Sequence, residues 1–435
     1  VRGLDEHRAA ALALAAPLPP VLVPLLEAVG QVLAQDVTTD GPLPRWDNSA
    51  MDGYAVRAAD VAAATPDGPV VLRVVGDVAA GSDDAPVVAP GTAVRIMTGA
   101  PVPPGADAVV PVELTSPGTG GQDAGDHAWA TSGGDVEVRA AVTAGQHVRG
   151  TGEDAAAGEV VLRAGDLVGP AHVAAAASVG RATLAVHRRP RIAVVSTGDE
   201  LVAPGTALRR GQIPDSNSWL LAAAVQAAGA DALRLGPVGD DPAALRRLLH
   251  EVDAGDHGTV DGIVTSGGVS AGAFDVVKAA LADEPGVELV PVAVQPGKPQ
   301  GLGRLPSGTP VWTLPGNPVS AFASFEMFVR PAVRRMLGAH PERPRVAAVA
   351  DEGWRTPPGR AQLMPVRRVP AAGSGSASGS EPSTEPGPAV RVRRATARGS
   401  GSHLVARLAV AEGLAVIPAD VDEVRAGDTL EVFWT

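Results

Sequence analysis

The sequence predicts a multi-domain protein of the α/β plus β class. It should hold a doubly wound parallel-sheet domain, a small β domain before it and a β barrel or sandwich after it. Three observations carry this expectation. The chain has 435 residues, enough for about three domains at roughly 150 residues each. Between residues 187 and 338, short continuous apolar runs alternate with helical stretches, as expected of parallel strands covered on both faces. On either side, β-branched runs are separated by Gly/Pro turns, a pattern of small β domains.

The elements follow in order. Residues 4–16 read as a helix, with Asp5 and Glu6 at its positive end. Residues 22–35 repeat Leu and Val at helical spacing and predict a second amphipathic helix. From residue 36 to 138 the runs at 70–75, 93–97 and 108–113 read as strands, and the Gly/Asp/Ser-rich stretch 116–134 as a hairpin tip. Residues 170–179 are an Ala-rich helix. In the α/β block, strands are expected at 191–195, 232–238, 262–265 and 311–314, and helices at 218–228, 242–252, 276–281 and 320–337. Later strands are expected at 346–350, 389–393, 404–408, 414–417 and 429–433. Residues 371–388 are Gly/Ser/Pro-rich and cannot bury a core, so they read as a disordered insertion.

Composition excludes whole classes of function. There is no Cys, which removes disulfides, thiolate zinc sites, iron–sulfur clusters and a cysteine nucleophile. A net charge of −12 argues against a nucleic-acid partner, because phosphate neutralisation needs clustered Lys and Arg. The apolar run after Arg8 is cut by Pro17, Pro19 and Pro20 and preceded by acidic residues, unlike a secretory signal. Nowhere do 18 apolar residues run unbroken, so no membrane span is expected. A cytoplasmic location follows as the expectation.

In open α/β sheets, ligands bind beyond the carboxyl ends of the strands. The segments after the predicted strands are therefore the candidate chemistry: STGDE at 196–200, GDDP at 239–242, SGGVSAG at 266–272 with Asp275, QPGKP at 295–299 and PGNPVS at 315–320. Glycines let backbone N–H groups approach a phosphate. Carboxylates beside a phosphate site require a cation between them, and Mg²⁺ takes one or two carboxylates plus phosphate oxygens and water. The edge therefore reads as a site for a phosphorylated small molecule and a divalent metal. Only Lys278 and Lys298 are lysines, and both lie in this region. The G-x-S-x-G match around Ser270 would also suit a hydrolase elbow. No oxyanion-loop motif or ordered His partner supports that reading.

These segments belong to a longer series. DNSAMDGYAVR (47–57), RIMTGAPVP (95–103), GED (152–154), STGDE (196–200), SGGVS (266–270), PGKP (296–299), LPGNP (314–318) and GSH (401–403) occur in this order. With them the chain resembles the MoeA family of molybdopterin molybdenumtransferases, related to the gephyrin E domain, along essentially its whole length. The resemblance implies a discontinuous elongated N-terminal domain (1–43 and 140–186), an inserted β domain (44–139), an α/β molybdopterin-binding domain (187–338) and a C-terminal β barrel (339–435). It implies conversion of adenylylated molybdopterin and molybdate to molybdenum cofactor and AMP, with Mg²⁺ or another divalent cation. A homodimer is implied too, with transient contacts to a molybdopterin adenylyltransferase and to molybdoenzymes.

The resemblance also assigns residues. Asp275, Glu200, Asp52 and Thr98 would be catalytic, and Glu200, Asp240 and Asp275 would hold the metal. Asp154, Thr197, Gly198, Ser266, Gly267, Gly268, Ser270, Lys298, Pro315, Gly316, Asn317, Pro318 and Ser402 would bind the nucleotide–pterin. Pro291, Gln295 and Pro365 depart from the family pattern, which often has cations there. Arg360, Arg367 and Arg368 are the nearby basic residues left to compensate. An adenylyltransferase would share the α/β domain but would not need the 47–57 segment or the C-terminal barrel.

Overall fold

A computed structural model describes residues 1–117, 132–269, 275–370, 390–396 and 405–435. The hairpin tip expected at 116–134 and the insertion expected at 371–388 fall wholly or largely outside the described residues. The chain divides into two units, one of residues 1–35, 164–170 and 183–435, the other of residues 36–163 and 171–182. Among the described residues no helix is long and apolar enough to cross a membrane.

The second unit is built on a six-stranded sheet. Its strands, in spatial order, are Ala108–Pro111, Gly53–Val56, Thr92–Ile96, Val70–Val78, Asp135–Val138 and Thr115–Pro117. Small β-branched residues fill its core, with Tyr54 as the one aromatic among Val56, Val61, Leu72, Val74 and Val110. Short ladders join Val37–Thr38 to Val160–Leu162 and Asn48–Ser49 to Val148–Arg149.

The first unit begins with helix α1 (Leu4–Ala13). The second helix expected at 22–35 is absent. Residues Pro20–Pro24 form a strand paired antiparallel with Thr183–His187, and turns follow. Pro20 and Pro24 bracket the segment, and the missing N–H of Pro24 would break a helical ladder there. The Leu and Val residues that imitate a helical stripe are partly exposed: Leu22 and Leu26 face solvent.

The α/β domain comprises β1 (Arg191–Thr197), α2 (Asn217–Ala227), β2 (Asp231–Val238), α3 (Pro242–Ala254), β3 (Gly262–Ser266), α4 (Val276–Leu281), β4 (Val287–Pro291), β5 (Pro299–Arg304), β6 (Pro310–Leu314), α5 (Pro318–Ser324) and α6 (Arg330–Met336). The sheet order is β2-β1-β3-β6-β5-β4. The four strands expected from sequence are parallel, but β5 and β4 add an antiparallel edge, so the sheet is mixed. Alternate residues of β1 enter two cores: Ile192 and Val194 one, Ala193 and Val195 the other. That is why the strand reads as an unbroken apolar run.

The helix expected at 320–337 is interrupted. Between α5 and α6, Phe325–Val329 form a π turn, just ahead of Pro331. Proline has no N–H for the regular i−4 bond, and a wide turn absorbs the mismatch.

The C-terminal barrel uses β7 (Val346–Ala350), β8 (Ala361–Arg368), β9 (Arg391–Arg394), β10 (Gly413–Ile417) and β11 (Thr429–Trp434). Pairing runs β8-β9-β7-β11-β10 and closes through β10 on β8. Met364, Val366, Val392 and Ile417 fill the barrel, while Leu363, Leu414, Val416 and Phe433 point outward into the core shared with the α/β domain. The strand expected at 404–408 is instead a short helix, α7 (Val405–Leu408). A four- or five-residue apolar run does not distinguish the two by periodicity.

In α1, His7 is buried edge-on against Phe328, with ring centroids 4.7 Å apart. Burial, reinforced by Arg2 and opposed by Glu288, lowers its pKa from 6.5 to about 4. The unfolded chain therefore binds a proton that the folded chain refuses between these two values. Stability contributed by neutral His7 is complete above pH 6.5 and is lost as pH falls towards 4. Thermal unfolding from pH 7 to 4 should show a steeper loss for the wild type than for His7→Leu; parallel pH profiles would contradict this.

Candidate active site

The carboxyl ends of β1, β2, β3 and β6 open into one cleft of about 970 Å³, at the upper end of the usual range for ligand pockets. Thr197, Gly198 and Glu200 enter it after β1, Asp240 after β2, Ser266, Gly267 and Gly268 from the end of β3 onward, and Asp275 at the start of α4. Pro315, Gly316, Asn317 and Pro318 line it after β6, and Gln295, Pro296, Gly297 and Pro299 form another wall. The cleft thus gathers twelve of the residues assigned from sequence. Lys298 is exposed and is not part of the lining.

Residues overlooked in the sequence hold this lining in place. Asp215 is buried and accepts hydrogen bonds from Ser196 Oγ (2.7 Å), Ser218 Oγ (2.6 Å) and Ser218 N (3.0 Å). Arg234 Nε donates to Ser218 Oγ (2.9 Å), and its guanidinium lies 3.9 Å from the Trp219 ring centre. Next to this network, Asn217 Nδ2 donates to Ser266 Oγ (2.9 Å) and to the Gly316 carbonyl (2.6 Å). One amide therefore ties the start of α2 to the loops after β3 and β6. The available signal was DSNS at 215–218, a polar cluster directly before a predicted helix.

Two glycines matter sterically. Gly267 has φ +104°, and a Cβ there would lie 2.8 Å from Thr197 O; a Cβ on Gly316 would lie 3.2 Å from Gly267 Cα. The two loops therefore meet backbone to backbone. Gly267 is not a free phosphate donor, because its N–H donates to Leu314 O (3.2 Å). Thr197 and Ser266 spend their hydroxyls on Ser266 O (3.5 Å) and Pro315 O (3.3 Å). Their role is to fix the loops. Asn317 caps α5 through its backbone, without a side-chain bond.

The rim is acidic. Asp240 N donates to Asp199 Oδ1 (3.0 Å) and Asp199 N to Asp240 Oδ2 (3.4 Å), so two acidic loops clasp each other. Asp241 is occupied elsewhere, capping α3 through Ala243 N (2.9 Å). Glu200 folds over Gly198, where a Cβ would collide with its carboxylate. Asp275 Oδ2 is buried without a hydrogen-bond partner among the described residues. Among the described residues none of Asp199, Glu200, Asp240 and Asp275 is in an ion pair. No three described His, Asp or Glu side chains stand close enough to form a ready-made metal site. A buried carboxylate oxygen with no hydrogen-bond partner among the described residues, in a cleft lined by other carboxylates without ion pairs, fits a hard cation that draws its remaining ligands from substrate and water.

The other assigned residues lie in the second unit or outside the described residues. Asp52 Oδ1 accepts from Thr98 N (2.6 Å) and Thr98 Oγ1 (2.8 Å), and these bonds hold its carboxyl below the usual range. Asp47 makes the same clasp with Thr151, at 2.7 and 2.8 Å. Asp154 is exposed. Ser270 and Ser402 lie outside the described residues.

Comparison with known proteins covers nearly the whole chain. The MoeA N-terminal region (domain I and II) matches residues 2–180, a probable molybdopterin binding domain 193–335, and the MoeA C-terminal region (domain IV) 390–433. The chain is 45% identical to molybdopterin molybdenumtransferase 2 of Mycobacterium tuberculosis, over 100% of this chain and 99% of that one. It is 36% identical to molybdopterin molybdenumtransferase 1 of the same organism, over 99% and 98%. Among solved structures, a molybdopterin biosynthesis MoeA protein from Pyrococcus horikoshii superposes with a TM-score of 0.79 at 28% identity, over 100% of this chain and 99% of that one.

Removing Asp215 strands two buried hydroxyls beside the cleft. Asp215→Ala should cost about 1–3 kcal/mol of stability, measured by urea unfolding. An unchanged midpoint would show that the network holds nothing.

Proposed function

Because the chain belongs to the MoeA family of molybdopterin molybdenumtransferases, we propose that its α/β cleft takes adenylylated molybdopterin and, with molybdate, yields molybdenum cofactor and AMP. The coarser statement is already secure: the chain is a transferase of molybdenum cofactor biosynthesis, with molybdopterin and molybdate as substrates. The finer one rests chiefly on the acidic rim. A nucleotide–pterin is anionic, and a cleft presenting Glu200, Asp240 and Asp275 would repel it unless a cation intervened.

Glu200, Asp240 and Asp275 would hold a divalent cation such as Mg²⁺ together with phosphate oxygens and water. When bound, that ion neutralises and polarises the phosphoanhydride. The protein's own residues do the positioning. Asn217 and the Gly267–Gly316 contact fix the loops. The Gly268 amide is spent on no described backbone carbonyl and is left to meet phosphate. Pro315 and Pro318 stiffen the wall beside it. In the overall reaction water cleaves the phosphoanhydride, AMP leaves with its own phosphate while the pterin keeps the other, and the pterin dithiolene displaces oxygen from molybdate as water, so no protein thiolate is needed. Preorganised polar groups around such a leaving phosphate lower the barrier without moving during the step.

Asp52 and Thr98 are read as acting on the same reaction, since among the described residues their clasp occupies only Oδ1 of the Asp52 carboxylate. The exposed Leu22 and Leu26 suit burial in a homodimer, which sedimentation equilibrium decides. A cytoplasmic site of action, with transient handover from an adenylyltransferase and to molybdoenzymes, completes the reading.

Purified protein given adenylylated molybdopterin, molybdate and Mg²⁺ should release AMP. Asp275→Asn should lower that release by at least ~100-fold while leaving the unfolding midpoint near wild type. AMP release that persists in the variant, or that ignores molybdate and metal, would contradict this mechanism.

A further inference from the structure

Helix α4 carries Asp275 at its N-cap, yet the Asp275 side chain makes no capping bond. The helix is only six residues long, too short to stand alone, so tertiary contacts must fix it. Its apolar side packs on α3: Val276, Val277, Ala280 and Leu281 share one core with Leu245 and Leu249. Such contacts are non-directional and leave the position of α4 along its axis to its polar bonds.

Among the described residues those bonds lie at its two ends. At the start, Lys278 N donates to Gly268 O (3.1 Å). At the far end, Arg246 on α3 donates from Nε to Ala280 O (2.8 Å) and from Nη2 to Ala279 O (3.2 Å). The same guanidinium meets Asp283 Oδ2 at 3.3 Å. One turn further along α3, His250 Nε2 lies 2.7 Å from Oε1 of the buried Glu284. The Glu284 N–H in turn donates to Leu281 O (3.1 Å). Residues four apart share a helix face, so α3 presents Arg246 and His250 together to the end of α4. A guanidinium there fills carbonyls that a helix leaves open and matches its negative end. Ala280 is five residues from Asp275, about 7.5 Å along the helix. A short helix moves as one piece, so a shift at this clamp reaches the carboxylate.

We propose that Arg246, supported by the His250–Glu284 contact, is a positioning residue for Asp275: the clamp at the end of α4 sets where that carboxylate meets the cation. This rests on the reading of Asp275 as a cation ligand. Neither Arg246 nor His250 lines the cleft, so both act through α4.

The test is Mn²⁺ binding by the full chain, read by electron paramagnetic resonance with adenylylated molybdopterin present, beside the Mg²⁺ dependence of AMP release. Arg246→Met should weaken Mn²⁺ binding, and raise the Mg²⁺ needed for half-maximal release, by about tenfold or more, as removal of a group that orients a metal ligand does. Arg246→Lys should restore part of the loss. His250→Ala should shift both readouts the same way, and it carries the test if Arg246→Met does not fold; an unchanged value there would then overturn the proposal. Asp253→Ala is the control for stability. Asp253 lies on the same helix but accepts from Ser307 N (2.8 Å) and Thr309 N (3.4 Å), not from α4. Equal metal shifts in Arg246→Met and Asp253→Ala would reduce Arg246 to general stability and overturn its positioning role, as would wild-type Mn²⁺ binding in Arg246→Met. If Asp275→Asn itself binds Mn²⁺ like the wild type, the cation reading of Asp275 falls and the clamp with it. Sensitivity at Asp275 with none at Arg246 overturns the clamp alone.

Discussion

Glu200, Asp240 and Asp275 bring three carboxylates to one cleft, and among the described residues no basic side chain pairs with any of them. That unbalanced charge constrains everything else about the site. In the proposed mechanism these acids act together only if the loops that carry them are held in place. The rigidity has identifiable sources: the buried Asp215 with its three serine hydrogen bonds, the Asn217 amide bridging two loops, and the backbone contact between Gly267 and Gly316. In the proposed reaction a cation from outside the protein balances that charge. With no complete metal-binding group among the described side chains, cation and anionic substrate are expected to complete each other's coordination.

Much of this was legible in the sequence because parallel strands buried on both faces leave an unmistakable mark. The runs at β1, β3 and β6 are short, apolar and followed by Gly-rich segments, so both the sheet and its productive edge could be located. What failed did so where local pattern and tertiary context disagree. Residues 22–35 imitate an amphipathic helix, yet Pro24 ends that possibility and the stretch pairs as a strand before turning. The antiparallel edge formed by β4 and β5 was missed: β5 carries Pro, Gln and two Gly around a single Leu, and β4 is a short run broken by Glu288 and ended by Pro291.

The site was read more fully in its acids than in its supports. Asp240 and Asp241 are chemically alike; the family resemblance singled out Asp240, and the structure places Asp240 in the cleft lining and Asp241 at the cap of α3. Gly267 looked like an anion donor, but its amide is committed to Leu314 and its value lies in its positive φ. Lys298, one of two lysines in the chain, stands outside the lining. Asp215 and Asn217 escaped notice because structural hydrogen bonds between distant loops have no periodicity and no fixed spacing.

Electron paramagnetic resonance of Mn²⁺ titrated into the protein, with and without an adenylylated ligand, probes the acidic rim most directly. The account predicts weak binding to the protein alone and much tighter binding once the nucleotide phosphate is present, with both lost in a Glu200→Gln/Asp275→Asn double variant. Mn²⁺ affinity that is indifferent to the nucleotide, or that survives in the double variant, would mean that these carboxylates do not meet a cation and substrate together.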